Sequence, residues 1–319
     1  MRKVLIFAAI ILSIMLVACG KTDSSSKEKP ASAASDDKQE AKASIVKDAT
    51  GKELKFDKKP ETFATLNTGD LNILVALGAD VTGRPSTKNK LDKNISKIQE
   101  IGNPHQPNFE QIAKVNPDVL AAGPSFQRQA ANIEKQGTKV VYTNANSIVE
   151  IKDTISMFGS ILGNEDKAKE INSGIDQRID EAKAKQGDKK RTLLVYGAPG
   201  TFLAALPNSL SGDILEHAGG ENIASDFKQE ESYPQYAQLS VEKVIERNPE
   251  VVMLITHGDP NGVKEAFEKE MKQNAAWKNL DAVKNDNVII LPADLFGSNP
   301  GVKIADAIEE MQSQLDAVK

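Results

Sequence analysis

The chain has 319 residues, with 40 Lys and Arg against 45 Asp and Glu, a formal net charge of −5 and 39% apolar residues. The acidic balance argues against a nucleic-acid-binding role, which needs a basic face, and the ordinary apolar content predicts a packed core over a length suited to two domains. The single cysteine, Cys19, excludes an intrachain disulfide and a cysteine-cluster metal site.

Arg2 and Lys3 precede an apolar run from Val4 to Ala18 that ends in small residues, the pattern of an export signal. The run is short for a transmembrane span. Leu16-Val17-Ala18-Cys19 looks like a bacterial lipobox, so Cys19 is expected to carry diacylglycerol. Several acyl chains anchor far better than one, at about 0.8 kcal/mol per buried CH₂. Lys21 to Ser44 is almost empty of large apolar residues and reads as a flexible tether. The expected organisation is a signal over 1–18, the lipidated cysteine and tether over 19–44, an amino-terminal α/β lobe over 45–147, a linking helical segment over 148–187 and a carboxyl-terminal α/β lobe over 188–319.

Within the first lobe the sequence predicts a strand pair over 45–56 turning at Ala49-Thr50-Gly51, a strand over 62–67, a helix over 69–77 stopped by Gly78, and a strand from Val81. A polar loop over 88–98 leads to Gly102-Asn103-Pro104-His105-Gln106-Pro107, where flanking prolines forbid a helix. A helix then precedes a strand over 119–122, followed by a helix over 130–136 and a strand over 139–142. Ile148 to Gly163 is amphipathic. From Asn164 to Lys185, Ala168, Ile171, Ile175 and Ile179 recur at helical spacing. At 1.5 Å per residue that second helix spans roughly 33 Å, enough to cross between lobes. No Gly- or Pro-rich hinge interrupts it, so limited closure is expected. The second lobe repeats the alternation, with strands over 192–196, 202–205, 251–255 and 288–291, and helices over 213–218, 262–273 and 300–315. Alternation in both halves predicts parallel α/β sheets.

The second half echoes the first. Asn108-Phe109-Glu110-Gln111-Ile112-Ala113-Lys114-Val115-Asn116-Pro117-Asp118-Val119-Leu120 is matched at identical spacing by Ser240-Val241-Glu242-Lys243-Val244-Ile245-Glu246-Arg247-Asn248-Pro249-Glu250-Val251-Val252. Each copy reads as a short helix, a proline stop and a buried strand. Two lobes of like construction imply a cleft between them. One histidine stands beside each copy, His105 before the first and His257 after the second, and His257 lies at the carboxyl end of a predicted strand, where α/β sheets bind ligands. Two imidazoles on facing loops have the chemistry to hold one metal from opposite sides, although either alone also reads as a surface residue. His217, just before Gly219-Gly220, suits a helix carboxyl terminus and reads as structural. Glu110 and Glu242 each favour a helix amino terminus, and their matched positions also suit one acidic contact per lobe on a symmetric basic partner. Nucleophile-elbow, phosphate-loop and His-Glu-x-x-His signatures are missing, so no enzyme is expected.

The lipobox, tether, two lobes and linking helix resemble the substrate-binding lipoproteins of iron-complex ABC importers. The stretches Glu100 to Asn108, Gly197-Ala198-Pro199-Gly200, Ala218-Gly219-Gly220-Glu221-Asn222, His257-Gly258, Phe267 to Gln273, Trp277-Lys278 and Ala282 to Asn285 most resemble the haem-binding surface lipoproteins of Gram-positive bacteria. The resemblance implies two Rossmann-like lobes joined by one long α-helix, and a monomer lipid-anchored on the outer face of the cell membrane. It implies haem as transported ligand, with the carboxyl-lobe axial ligand falling on His257. The amino-lobe ligand, often methionine in that family, falls on His105, and haem iron accepts either pair. Glu110 and Glu242 become docking contacts for an ABC permease dimer with its ATPase subunits. Thr68, Ser86 and Lys88 are candidate propionate contacts. Apolar walls are expected, with Phe126, Tyr142, Tyr196, Phe202, Tyr233, Tyr236 and Phe296 as candidates. The alternative is a ferric siderophore receptor, in which Arg84, Arg128 or a tyrosine would grip an anionic complex.

Overall fold

A computed structural model describes residues 44–87, 91–198, 200–257 and 259–318. The expected signal, the tether up to its last residue, Cys19 and Lys88 lie outside the described residues. The described residues open with a hairpin, β1 (Ser44–Lys47) against β2 (Glu53–Phe56), turning through Gly51 at φ 83°. There follow β3 (Thr62–Thr65), α1 (Thr68–Ala76), β4 (Asp80–Arg84), β5 (Gln99–Glu100), α2 (Phe109–Val115), β6 (Val119–Ala122), α3 (Gln127–Glu134) and β7 (Lys139–Tyr142). Among the described residues these strands form a parallel sheet in the order β5-β4-β3-β6-β7.

Two helices come next, α4 (Ile148–Leu162) and α5 (Glu165–Ala184). Ser147 caps α4 by accepting from the Glu150 amide at 3.2 Å, and the Glu150 carboxylate reaches back to the Asn146 amide at 2.6 Å. Gly163, at φ 62°, ends α4 in the left-handed conformation. The two helices then fold back on each other. The Asn172 amide group donates to the Lys152 carbonyl and the Ser156 hydroxyl, and a Cβ on Gly159 would lie only 2.5 Å from that of Ala168. The crossing helix expected from sequence is α5. At its start Asn164 donates to the carbonyl of Leu77 at the end of α1, and beyond its other end Gln186 donates to the carbonyl of His217 in the second half.

The second half comprises β8 (Arg191–Ala198), β9 (Thr201–Ala205), α6 (Leu210–His217), β10 (Glu221–Asn222), β11 (Tyr236–Gln238), α7 (Val241–Arg247), β12 (Val251–Thr256), α8 (Pro260–Gln273), α9 (Asp281–Lys284), β13 (Val288–Ile290), α10 (Ala293–Phe296) and α11 (Ile304–Asp316). Its sheet runs β11-β9-β8-β12-β13, with β10 also on β8. The β8, β10, β12 and β13 pairings are parallel, but β9 is antiparallel to β8 and β11 to β9. The all-parallel expectation therefore holds in the first lobe and fails in the second, because β8 and β9 are joined too tightly for a crossover.

Strand alternation sorts the core into layers. Phe63, Leu194, Val251, Met253 and Ile255 face a central cluster that also takes Leu71 and Leu74 of α1, Ile151, Ile155 and Phe158 of α4, Ile175 and Ile179 of α5, and Ile308, Met311 and Leu315 of α11. Ala64, Leu120, Ile112 and Ile133 form an outer cluster on the first lobe, and Leu193, Val195, Leu254, Phe267 and Trp277 one on the second. A shared central core ties the lobes together.

The sequence repeat is a structural repeat. Asn108 and Ser240 cap α2 and α7 by accepting from the amides of Gln111 and Lys243. Asn116 and Asn248 end the two helices at φ 40° and 42°. After each proline, the acid satisfies the amide at the start of the neighbouring strand. Asp118 accepts from Glu61 and Thr62 at 2.7 and 3.1 Å, and Glu250 accepts from Arg191 at 3.0 Å.

Candidate functional site

The carboxyl ends of the two sheets face a cavity of about 750 Å³, inside the ~300–1,000 Å³ typical of ligand pockets. Leu66 to Thr68 follow β3, Gly123 and Pro124 follow β6, and Thr256 and His257 end β12. These are the positions where α/β sheets take ligands. Ser86, Glu100 and the Asn103 to Gln106 loop complete one wall, and Gly297 to Asn299 another.

The His105 loop is built to hold one shape. Gly102 takes φ 90°, and a Cβ there would lie 2.3 Å from the Gln106 carbonyl oxygen. Asn103 accepts through Oδ1 from the amides of both His105 and Gln106 at 3.0 Å. The Ser86 amide donates to Gly102 at 2.8 Å, tying the loop to the end of β4. His105 itself is exposed.

His257 is half-buried. Its Nδ1 lies 2.9 Å from the carbonyl oxygen of Gly297. A carbonyl only accepts, so Nδ1 carries a proton, and in the neutral ring that leaves the lone pair on Nε2. Tyr196, tilted against Tyr236 with ring centroids 4.8 Å apart, lies 5.8 Å from the His257 ring. Burial pushes both phenols above their ordinary range, which keeps them neutral beside the imidazole.

The ring centroids of His105 and His257 lie 6.2 Å apart, edge to face with their planes at 84°. Two metal–imidazole bonds of about 2 Å, plus about 1 Å from each bonding nitrogen to its ring centre, place two rings about 6 Å apart on one metal. Among the described residues no group of three or more His, Cys, Asp or Glu could hold a metal.

Thr68 and Ser86 line the same cavity. Ser86 donates to Glu100 at 3.2 Å, and Glu100 pairs with Arg84 at 2.8 Å. Arg84 is buried and spends its other donors on the carbonyls of Ile98 and Pro85. Arg128 is exposed on α3 and is not part of the wall. Neither arginine is placed to grip an anionic ligand. Of the aromatic candidates, Tyr196 stands beside His257 and Tyr233 is exposed. Phe126, Tyr142 and Phe296 are core residues, and the apolar wall is made instead by Leu66, Pro85, Pro104, Pro124, Pro260 and Ala293. His217 donates to the Asp213 carbonyl at 2.9 Å on its own helix, a structural role.

Sequence reasoning missed Asp70. It is buried at the cavity edge and accepts from Asn67 at 2.8 Å and Thr143 at 2.7 Å. Burial raises its carboxyl above the ordinary value, and the hydrogen bonds from Asn67, Thr143 and Thr65 oppose that rise. In the sequence it looked like any acid in the first turn of a helix. Glu110 and Glu242 are both exposed, each in the first turn of its helix, and neither lines the cavity.

Residues 64–295 match the Periplasmic binding protein family. The chain belongs to that family. It is 30% identical over 239 residues to the high-affinity heme uptake system protein IsdE of Staphylococcus aureus strain Newman, covering 74% of this chain and 80% of that protein. The crystal structure of S. aureus IsdE complexed with heme superposes with a TM-score of 0.68 at 29% identity, over 79% of this chain and 97% of that one. An ABC transporter substrate-binding protein from Listeria monocytogenes gives 0.70 at 28% identity, over 81% and 98%. S. aureus SirA complexed with staphyloferrin B gives 0.69 at 22% identity over 86% and 98%, a likeness of fold alone.

Proposed function

We propose that this protein is a non-enzymatic, extracytoplasmic haem receptor that captures haem in the interlobe cavity and delivers it to an ABC importer. The observation that carries the reading is the pairing of His105 and His257 across the cavity at 6.2 Å. Haem brings an equatorial macrocycle and leaves two axial positions for protein ligands, which two opposed imidazoles satisfy. A bis-histidine pair should hold the iron at a lower potential than a His–Met pair, since axial methionine raises it. The Gly297 carbonyl on Nδ1 of His257 is the kind of partner that fixes tautomer and raises ligand basicity. Thr68 and Ser86 offer hydroxyls to the propionates. IsdE, the relative whose name and complex concern haem, supports the same ligand. Cys19 would supply the lipid anchor, and Glu110 and Glu242 the contacts to a permease dimer.

A ferric siderophore is the rival. A siderophore that fills all six iron positions with oxygens leaves none for imidazoles, and its anionic complex wants cations. Among the described lining residues none is Lys or Arg, and Arg84 is already committed to Glu100. Titration of the purified protein with haemin separates the two. A six-coordinate, low-spin spectrum that requires both histidines is the expected result. Tight uptake of a ferric siderophore with no uptake of haemin would overturn the proposal.

A further inference from the structure

Two glycines from opposite lobes meet beside the cavity. Gly69 is in the first turn of α1, between the cavity-lining Thr68 and Asp70. Gly301 opens the short turn between α10 and α11. A Cβ on Gly301 would lie 2.5 Å from the Gly69 carbonyl oxygen and 3.2 Å from the Cβ of Asn72. A Cβ on Gly69 would lie 2.2 Å from Cγ of Asn299. The contact is reinforced from both sides. Asn72 donates to the Pro300 carbonyl at 3.4 Å, and Asn299 accepts from the Gly301 amide at 2.8 Å.

The segment that bears Gly301 also holds the candidate ligand. The Gly297 carbonyl accepts from Nδ1 of His257, Ser298 and Asn299 line the cavity, and Pro300 and Gly301 press on α1. One short run of backbone thus connects the orientation of His257 to a tight contact with the other lobe. Phe296 and Ile304 on one side and Leu71 and Ile73 of α1 on the other belong to the central core, which resists displacement.

We propose that Gly69 and Gly301 form an interlobe stop that sets the spacing between the His105 and His257 rings, and so sets whether one iron can reach both imidazoles. The consequence for iron rests on the haem reading above. At 2.5 Å, a methyl on Gly301 falls about 0.9 Å short of the 3.4 Å at which contact becomes ordinary, and the atom it meets is backbone that cannot rotate away. Two axial bonds of about 2 Å do not stretch to cover such a gap.

The test uses Gly301→Ala, Gly69→Ala and a control, Gly163→Ala. Gly163 shares the left-handed backbone of Gly301, at φ 62° against 60°, but a Cβ there meets nothing within 4 Å. The control therefore carries the backbone strain without the wedge. In ligand-free crystals the His105–His257 ring separation should exceed 6.2 Å in the two wedge variants and stay there in the control. With haemin, the wedge variants should lose the two-imidazole, low-spin spectrum for a one-imidazole, high-spin one, and bind roughly 10–100-fold more weakly. Should Gly301→Ala fail to fold, Gly69→Ala decides, since its helical backbone accepts alanine and the Asn299 side chain it meets can yield only by giving up its bond to the Gly301 amide. Unchanged ring separation with a retained two-imidazole spectrum in the wedge variants overturns the stop. If the unaltered protein takes up no haemin, the haem reading fails, and the ring separation in ligand-free crystals still decides the stop.

Discussion

Nδ1 of His257 donates to the carbonyl oxygen of Gly297 at 2.9 Å, whereas the His105 ring has no hydrogen-bond partner among the described residues. The two imidazoles are therefore unequal ligands. His257 is held in one tautomer on the end of a fully buried strand, and His105 stands exposed on a loop. Orientation by a carbonyl is worth about 10–100-fold in metal affinity. His257→Ala should thus weaken haemin binding by at least an order of magnitude more than His105→Ala. Soret titrations of the two variants check this, and equal losses would show that the Gly297 contact confers no advantage.

Glu110 and Glu242 share a position in the structural repeat, each exposed in the first turn of its helix and outside the cavity. A carboxylate there is favoured by the helix dipole by only about 0.3–1 kcal/mol, so removing it should barely disturb the fold. The double variant Glu110→Ala, Glu242→Ala is expected to bind haemin as the unaltered protein does while haem-dependent growth fails. Normal uptake by cells carrying the double variant would remove the docking role.

Much of this arrangement was legible because its signals are local. The Asn-Pro pairs mark the ends of α2 and α7, where Asn116 and Asn248 take the left-handed conformation, and the stop at Gly163 separates α4 from α5. His105 and His257 stood out by their placement beside the repeat. What stayed hidden depends on distant partners. Arg84 reads as a free cation until Glu100 and two carbonyls are seen to consume it. Asp70 reads as a dipole acid until Thr143 closes over it. The folding of α4 onto α5 depends on a close approach at Gly159, and β5, β10 and β11 are two or three residues long, too short for alternation to register.

Asp70 gives the stability curve a definite sign. Its native carboxyl is raised above the ordinary value by burial, so the native state binds this proton more tightly than the unfolded chain does. The group's favourable contribution is complete below the ordinary carboxylate value. It is lost as pH rises from there to the raised native value, at about 1.4 kcal/mol per pH unit. Asp70→Asn removes the titration and keeps an oxygen for the Asn67 and Thr143 donors. Urea unfolding should show the variant more stable than the unaltered protein at neutrality, with the difference vanishing toward acid. A difference that grows toward acid would reverse the assignment.

Asn116 and Asn248 occupy the same left-handed cap but have different neighbours. Asn248 donates to Asp281 at 2.7 Å and accepts from the Asp281 amide at 3.0 Å, joining α7 to α9. Asn116 has no side-chain bond of this kind among the described residues. Alanine at either position must hold a conformation that asparagine tolerates better, at a cost of about 1 kcal/mol. At Asn248 it also forfeits two hydrogen bonds worth about 1 kcal/mol each. Chemical denaturation should therefore show Asn116→Ala losing about 1 kcal/mol and Asn248→Ala about 2–3 kcal/mol. Glycine separates the two costs, because it relieves the backbone at both sites and restores the side-chain bonds at neither. Asn116→Gly should be close to neutral, and Asn248→Gly should still be destabilised by about the two lost bonds. Equal losses at the two positions would mean that the Asp281 contact adds nothing to the cap.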